Sequence, residues 1–450
     1  MTGRFAGERA LVVGAGVAGV AAAEALLAEG AEVRVTDVRP ADRLADAARL
    51  QSLGAEMRAG GHDPSDLEGA TLVVVSPGVP PSAEVVVWAR DRDLPVWGEM
   101  ELGARLTDAP YLAVTGTNGK TTTTGMLAAC LRAGGLDAVA CGNIGLSFPT
   151  AARGGHDALV VEVSSFQLAL QESFHPKVSV LLNVAPDHLD WHGTFDAYVD
   201  AKARIHANQG EGDTHVGNRD DPLASRISAA APCRVVWFRG GPPGEGEVGY
   251  VGDALVAPET ATPLGPVDGT RAGYRQDAAA AAAAALAFGV APEAVRRGLA
   301  GFVPGRHRGE VVAEIEGVRF VDDSKATNVH AVLAALDGVE RAVLIAGGRA
   351  KGQDLSALAT RADRLVAVVS LGESGPDVAA VFRGLVPVHP AGSIEEATRI
   401  AAREAAAGVT VLLAPACASW DQFRDYAERG DRFAAAARAL NQAEASDARS

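Results

Sequence analysis

Short, unbroken apolar runs recur along this chain, each closed by glycine, proline or serine and followed by an alanine-rich stretch. A strand apolar at every position cannot keep one face in water, so such runs predict parallel sheets covered on both faces by helices. Arg9–Gly14 is the first run, with a helix over Ala18–Glu29 and Gly30 as its stop. Glu32–Thr36 and Thr71–Ser76 follow, the latter closed by Pro77-Gly78. A new block opens near Pro110 with strands at Tyr111–Thr115, Ala158–Val163 and Val178–Val184 and helices at Thr121–Ala133 and Phe195–Asn208. The Gly-, Pro- and Glu-rich stretch Phe238–Pro266 predicts hairpins or loops, and Ala278–Leu286 a tightly packed helix. A third block follows Leu299–Pro304, with strands at Val318–Val321, Ala342–Ala346, Leu365–Val369 and Thr410–Ala414. No repeat with a period of about 20–50 residues marks a solenoid.

Composition narrows the partners. The chain is 48% hydrophobic and 22% charged, which are globular values. With 41 basic against 56 acidic residues it carries −15, which disfavours binding nucleic acid through its phosphates. A phosphorylated small molecule remains possible, because a few lysines and helix N-termini suffice. Cys130, Cys141, Cys233 and Cys417 show no C-x-x-C spacing or Cys/His cluster and read as buried, reduced thiols. Ala10–Leu27 is interrupted by Glu24 and Ala278–Val290 is short, so neither reads as a membrane span. The N-terminus runs straight into a strand without a cleavable signal. The expectation is a cytoplasmic monomer with no nucleic acid and no membrane insertion.

The strongest local signal is Thr115-Gly116-Thr117-Asn118-Gly119-Lys120-Thr121-Thr122, set between a strand and a helix. Gly116 and Gly119 let backbone N–H groups approach an anion, and the helix N-terminus adds positive potential. Lys120 can reach terminal phosphates and Thr121 can ligate Mg²⁺. Val114 stands where the ordinary phosphate loop has its first glycine, so this is a shortened variant. Glu162 interrupts the apolar run before Ser164, where a carboxylate is costly unless paired or metal-bound. His188 follows the next strand, at the sheet edge where α/β proteins bind ligands. Glu162 and His188 can therefore face the same crevice as Lys120. Alone, His188 also fits a structural role, Lys202 a surface lysine, and Gly142-Asn143-Ile144-Gly145 a tight turn.

Gly14-Ala15-Gly16-Val17-Ala18-Gly19 matches G-x-G-x-x-G after a strand and before a helix, with Asp37 ending the next strand. This suits NAD, but a UDP-linked ligand meets the same demands. A nicotinamide-dependent oxidoreductase is therefore a rival reading. The third block carries Arg306-His307-Arg308-Gly309-Glu310, Asp323-Ser324-Lys325-Ala326-Thr327-Asn328, Gly347-Gly348-Arg349-Ala350-Lys351-Gly352, and Pro415 through Phe423. Lysines, hydroxyls and a helix N-terminus there suit an acidic substrate.

In order, T-G-T-N-G-K-T, G-N-I-G, V-E-V-S-S-F-Q-L, D-H-L-D, H-R-x-E, D-S-K-A-T-N, G-G-x-x-K-G and P-A-C-A-S-x-D-x-F resemble the Mur ligases. The resemblance runs from Arg9 to about Phe433. The last two motifs resemble the D-glutamate-adding branch most closely. It implies an α/β chain of three domains: a Rossmann-like UDP-binding domain at 1–109, a central P-loop-type ATPase at 110–301, and a Rossmann-like amino-acid-binding lid at 302–450. It also implies ATP-dependent ligation through an acyl phosphate, with ATP, UDP-N-acetylmuramoyl-L-alanine and D-glutamate as substrates and two Mg²⁺ ions. Gly116, Thr117, Asn118, Gly119, Lys120, Thr121, Thr122, Arg308 and Asp323 would bind ATP. Thr121 and Glu162 would hold the first Mg²⁺ and His188 the second. Lys202 matches the family lysine that is carbamylated to N6-carboxylysine, which requires a neutral amine. Gly14, Gly16, Gly19, Asp37, Arg39, Ser76, Asn143, Ser164 and Gln167 would hold the UDP substrate. Lys325, Thr327, Lys351, Ser419 and Tyr426 would hold D-glutamate, with Lys120, His188, Lys202 and Lys325 as the catalytic set.

The chain departs from the family pattern at three places. Gly273 to Asp277 stands for H-N-x-x-N, where an asparagine contacts adenine. Trp420 replaces a smaller residue, and Ala18 lacks a hydroxyl. Within the class, another Mur ligase or a folate-polyglutamate-type ligase is the runner-up, against which length and the final motif argue. A non-catalytic nucleotide-binding protein is the third class.

Overall fold

A computed structural model describes residues 3–258, 260, 263–264 and 272–447. Part of the loop expected within Phe238–Pro266 lies outside the described residues. The described part contains the hairpin β12 (Gly249–Val251) and β13 (Ala254–Val256), numbered in chain order with the strands below.

Three sheets carry the apolar runs. The first has β1 (Arg9–Val13), β2 (Glu32–Asp37), β3 (Glu56–Ala59), β4 (Leu72–Val75) and β5 (Val96–Gly98), all parallel, in the order β3-β2-β1-β4-β5. The second has β6 (Tyr111–Thr115), β7 (Ala138–Gly142), β8 (Ala158–Glu162), β9 (Val178–Leu181), β10 (Thr214–Asn218) and β11 (Arg234–Phe238). Its order is β11-β10-β9-β6-β8-β7, again wholly parallel. The third has β14 (Glu310–Ile315), β15 (Val318–Asp322), β16 (Ala342–Gly347), β17 (Leu365–Leu371), β18 (Val388–Ala391) and β19 (Thr410–Leu413). Its order is β14-β15-β19-β16-β17-β18, parallel except for the edge hairpin β14–β15. The most apolar runs became central strands. β4, β6, β8 and β16 are buried at every residue, as strands covered on both faces must be.

Packing divides the chain into two compact units. One holds the first two sheets. The other holds the third sheet together with Ala185–Asp190. The helix Ala272–Ala287 falls in the first unit from Gln276 onward and is buried there from Ala278 to Ala285, each at most 1% exposed. A helix apolar all round belongs inside, and methyl side chains let its neighbours come close. Among the described residues no helix is long and apolar enough to cross a membrane.

Three expectations need correction. The helix expected over Phe195–Asn208 is α-helical only to Ala203 and tightens into a 3₁₀ turn at Arg204–His206. There the Arg204 guanidinium donates to the carbonyls of Leu168 and Gln171, which holds the turn against a neighbouring segment. The strand expected to Val184 stops at Leu181. Asn218 Nδ2 donates to the Leu182 carbonyl at 2.6 Å, and Asn183 turns its amide to the phosphate-type loop. All four cysteines are free thiols, but Cys233 is only half-buried. Burial pushes the Cys130 and Cys141 thiols up to about 12 and Cys417 up to about 11.

Candidate active site

The loop after β6 is built from the strand outward. Gly116 and Gly119 have φ of +158° and +84°. A Cβ at Gly119 would lie 2.2 Å from Asp277 Oδ1, so both conformation and space demand glycine. Asn183 Oδ1 accepts from the backbone N–H groups of Thr117 (3.1 Å) and Asn118 (2.8 Å). Its Nδ2 donates to the Asn118 carbonyl at 3.2 Å. The Thr117 hydroxyl pairs with the Tyr198 hydroxyl at 2.8 Å. Lys120 opens the helix Lys120–Ala133 and donates to the carbonyls of Gly116 and Thr117, both at 3.0 Å. Thr122, in the first turn, is buried.

Lys202 reaches the same loop. It is 1% exposed, donates to the Gly116 carbonyl at 2.7 Å, and lies 4.9 Å from the centre of the Tyr198 ring. The surface-lysine alternative is therefore excluded. Two ammonium groups converge on one carbonyl. Beside them, Thr121 donates to Glu162 Oε2 at 2.7 Å and Asn143 Nδ2 to Glu162 Oε1 at 2.8 Å. Glu162 is 2% exposed. A buried carboxylate next to a threonine hydroxyl is a hard-oxygen donor set and fits Mg²⁺. Lys202 as an ammonium has no lone pair to offer a cation, so it fits a metal only once carbamylated.

His188 belongs to the second unit, with Asp187 and Asn328. Its φ is +54°, its N–H donates to Asp187 Oδ1 at 2.9 Å, and Asn328 Nδ2 donates to Asp187 Oδ2 at 3.2 Å. Of the residues expected in one crevice, Lys120, Thr121, Glu162 and Lys202 share the first unit. The departure at Gly273–Asp277 is divided likewise. Tyr274 donates to the Arg308 carbonyl in the second unit, whereas Asp277 accepts from Thr123 Oγ1 at 3.3 Å in the first.

At the end of β1, the order of the first sheet reverses between β1 and β4, the point where open α/β sheets form a ligand crevice. A cleft of about 630 Å³ lies there, lined by Gly14, Gly16, Ala18, Asp37, Arg39 and Ser76 among others. A Cβ at Gly19 would lie 1.8 Å from the Gly14 carbonyl, so that glycine permits the turn-to-helix contact. Asp37 accepts from Ala15 N–H (2.7 Å), Arg39 N–H (2.8 Å) and Arg39 Nη2 (2.7 Å). The guanidinium of Arg39 holds the Asp37 carboxyl down at about 2.

Ser164 caps the helix Ser165–Ala169, and Gln167 Oε1 accepts from its N–H (2.7 Å) and hydroxyl (2.8 Å). Gln167 Nε2 donates to Glu99 Oε1 at 2.5 Å. Glu99, which sequence reasoning missed, is 4% exposed, its Oε2 has no partner, and burial pushes its carboxyl up to about 7. The folded chain thus keeps a proton that the unfolded chain sheds above about 4.5. The associated stability is full below that value and lost as pH rises through 7, by about 3 kcal/mol in total. Urea midpoints of Glu99→Gln between pH 5 and pH 9 are expected to lack this slope. A slope equal to the parent's would refute the assignment.

In the second unit three loops follow the neighbouring strands β15, β19 and β16. Lys325 Nζ lies 3.8 Å from the centre of the Tyr426 ring and Lys351 Nζ 4.4 Å from that of Trp420. The bulkier Trp420, 61% exposed, therefore serves as a platform for a lysine. Ser419 is buried, and Arg308, Asp323 and Thr327 are half-buried. His307 Nδ1 pairs with the buried Asp322 at 2.7 Å. His188, His307, Lys351 and Ala416 all have φ between +54° and +62°. Non-glycine residues in this region are strained, and such strain collects at functional loops.

A phosphate-type loop with two lysines on one carbonyl and a metal-suited carboxylate, together with a glycine loop at the switch point of a parallel sheet, defines an α/β enzyme that works on nucleotides. The chain belongs to the Mur ligase family. Residues 8–98 match the MurD-like N-terminal domain, 114–240 the Mur ligase middle domain, and 307–417 the Mur ligase glutamate ligase domain. UDP-N-acetylmuramoylalanine–D-glutamate ligase of Frankia casuarinae is 46% identical, covering 97% of this chain and 95% of that one. The same-named protein of Streptomyces coelicolor is 41% identical, covering 98% and 100%. Among solved structures, UDP-N-acetylmuramate-alanine ligase of Thermotoga maritima aligns with TM-score 0.60 at 19% identity, covering 98% and 99%. MurF of Acinetobacter baumannii aligns with TM-score 0.62 at 18% identity, covering 95% and 91%. These two likenesses establish the fold.

Proposed function

We infer that this chain is the ATP-dependent ligase that joins D-glutamate to UDP-N-acetylmuramoyl-L-alanine, releasing ADP and phosphate in peptidoglycan precursor synthesis. The observation that carries the chemistry is the loop Thr115–Thr122 with Lys120 and Lys202 on one carbonyl and Thr121 against Glu162. Near-full-length relatives bearing that name support the substrates. A dehydrogenase reading rests on the first glycine loop alone and leaves this second loop unexplained.

Phosphoryl transfer between two anions needs alignment and positive charge more than covalent help. The N–H groups of Thr117 and Asn118 are taken by Asn183, so the N-terminus of the helix Lys120–Ala133 faces the nucleotide phosphates, and Lys120 bears on the γ-phosphoryl as it passes to the substrate carboxylate. The carboxylate oxygen bonds to phosphorus, ADP leaves, and an acyl phosphate results. The D-glutamate amine attacks its carbonyl, loses a proton, and phosphate departs through a tetrahedral intermediate. Thr121 and Glu162 would hold one Mg²⁺, with His188 and carbamylated Lys202 serving a second. Bound Mg²⁺ supplies positive charge to the phosphate oxygens. Asn143, Ser164 and Gln167 orient the muramoyl-alanine arm, while Gly14, Gly16, Gly19, Asp37, Arg39 and Ser76 hold the UDP end. Arg308 and Asp323 serve ATP. Lys325, Thr327, Lys351, Ser419 and Tyr426 hold D-glutamate. The reading places domain limits at 1–109, 110–301 and 302–450, in a cytoplasmic monomer.

The test is phosphate release with ATP, Mg²⁺ and UDP-N-acetylmuramoyl-L-alanine, comparing D-glutamate, L-glutamate and L-lysine. Release only with D-glutamate is expected. Release with another acceptor would move the chain to a sister activity. No release with any acceptor would return the dehydrogenase reading, checked by NADH fluorescence.

A further inference from the structure

Arg429 is the largest fully buried side chain among the described residues, with no exposed surface. It lies in the helix Tyr426–Asp447 and points under the loops that follow β15, β19 and β16. Nε donates to Ser324 Oγ at 3.0 Å, Nη2 to the Ser324 carbonyl at 2.9 Å, and Nη1 to the Cys417 carbonyl at 3.1 Å. A Cβ on Gly348 would stand 3.2 Å from Nη1, so the third loop packs on the same guanidinium. Ser324 adjoins Lys325, Cys417 lies two residues before Ser419, and Gly348 lies three before Lys351. The next residue, Gly430, lets the helix come close enough. A Cβ there would lie 2.2 Å from His307 Nδ1 and 2.5 Å from Asp322 Oδ2.

The charge is unusual as well as the geometry. Among the described residues Arg429 makes no ion pair, and its three hydrogen bonds go to neutral oxygens. Burial lowers its guanidinium to about 10, which leaves it charged at neutral pH. Asp421 and Asp322 act on this charge without pairing with it directly. Hiding a cation with no direct partner is costly, and neutral acceptors offset only part of that cost. An anion bound to the loops above would add to the attraction that Asp421 and Asp322 exert, since charges act over longer range where water is excluded.

We propose that Arg429 is a positioning residue for the amino-acid substrate: its fork locks together the three loops bearing Lys325, Ser419 and Lys351, and its charge favours the carboxylates they hold. This rests on the reading of those loops as the D-glutamate site. A planar fork reaches three acceptors at fixed angles, which an ammonium cannot do. Lysine here therefore keeps the charge and loses the geometry, and methionine loses both.

The full-length enzyme is assayed with D-glutamate varied at saturating ATP and UDP-N-acetylmuramoyl-L-alanine. Arg429→Met is expected to raise KM for D-glutamate about 30-fold while KM for ATP changes less than about threefold, the split expected when one subsite is damaged. Arg429→Lys is expected to fall between parent and Arg429→Met. Millimolar guanidinium, and not methylammonium, is expected to restore part of the D-glutamate affinity of Arg429→Ala. Unchanged D-glutamate KM in a folded Arg429→Met would overturn the proposal. So would equal loss toward all three substrates without guanidinium rescue, which marks a purely structural arginine. If Arg429→Met does not fold, Arg429→Lys decides: a D-glutamate KM equal to the parent's overturns the positioning role. Parent turnover dependent on D-glutamate judges the ligase reading separately, before any variant is compared.

Discussion

Lys120→Ala is expected to lower ATP-dependent phosphate release about 10³-fold, the loss that follows removal of one charged or hydrogen-bonding group from a phosphoryl-transfer or oxyanion site. The expectation comes from its place in the loop. Lys120 stands at the first residue of a helix whose N-terminal N–H groups face the same turn, and its ammonium is held by the carbonyls of Gly116 and Thr117. Those contacts preset the charge where terminal phosphates would lie, so little reorganisation is needed as charge shifts in the transition state. The fold should survive, because the side chain is half-buried and its two ammonium–carbonyl bonds contribute about 2 kcal/mol each, less than the stability of a whole domain. Lys120→Arg is not expected to restore activity, since a planar fork does not replace a point charge in a tight turn. Calorimetric nucleotide binding read beside turnover separates the classes. A ligase loses turnover far more than ADP affinity. A non-catalytic nucleotide binder shows no substrate-dependent turnover in the parent, and this variant would then change binding alone.

The sequence disclosed most where burial is two-sided. β4, β6, β8 and β16 are central parallel strands, and their unbroken apolar runs have no other stable placement. The edge strands β3 and β18 are half-exposed and carry mixed residues, so no such run announces them. The loop Thr115–Thr122 was legible because glycine, lysine and threonine have fixed duties there. Its support was not. Asn183 sits inside an apolar run, and that single amide was the available sign that the strand ends early. Tyr198, Asp277 and Glu99 meet the site across long stretches of chain, and helical periodicity says nothing about such partners. Arg429 looks in sequence like any arginine in a helix rich in charge. Only the glycine after it, which admits His307 and Asp322, hinted at close packing. Local pattern fixes which face of an element is buried, whereas a buried polar residue is defined by where its distant partner happens to arrive.

Lys202 shows that difference with the largest consequence. Read alone it was a surface lysine, and resemblance to the family pointed instead to a carbamate. The structure buries it to 1% exposure with Nζ 2.7 Å from the Gly116 carbonyl, within a loop that also holds Lys120. Two ammonium groups meet on one carbonyl, and carbamylation would replace one of those positive charges with a negative one. Carbon dioxide adding to the neutral amine forms an N–C bond and releases a proton. The product carries a carboxylate that accepts where the ammonium could only donate. Lys202→Ala is therefore expected to lose about 10²–10³-fold in turnover, comparable to removing a metal's outer support or one key polar group. A small carboxylate such as acetate or formate is expected to restore part of that loss, and methylammonium none. Parent activity should fall when dissolved carbon dioxide is stripped and return with bicarbonate. Rescue by methylammonium instead would assign Lys202 the simpler task of holding the Gly116 carbonyl as a cation. Undiminished turnover in Lys202→Ala would show that the phosphate loop keeps its geometry and its charge balance through Lys120 and Asn183 alone.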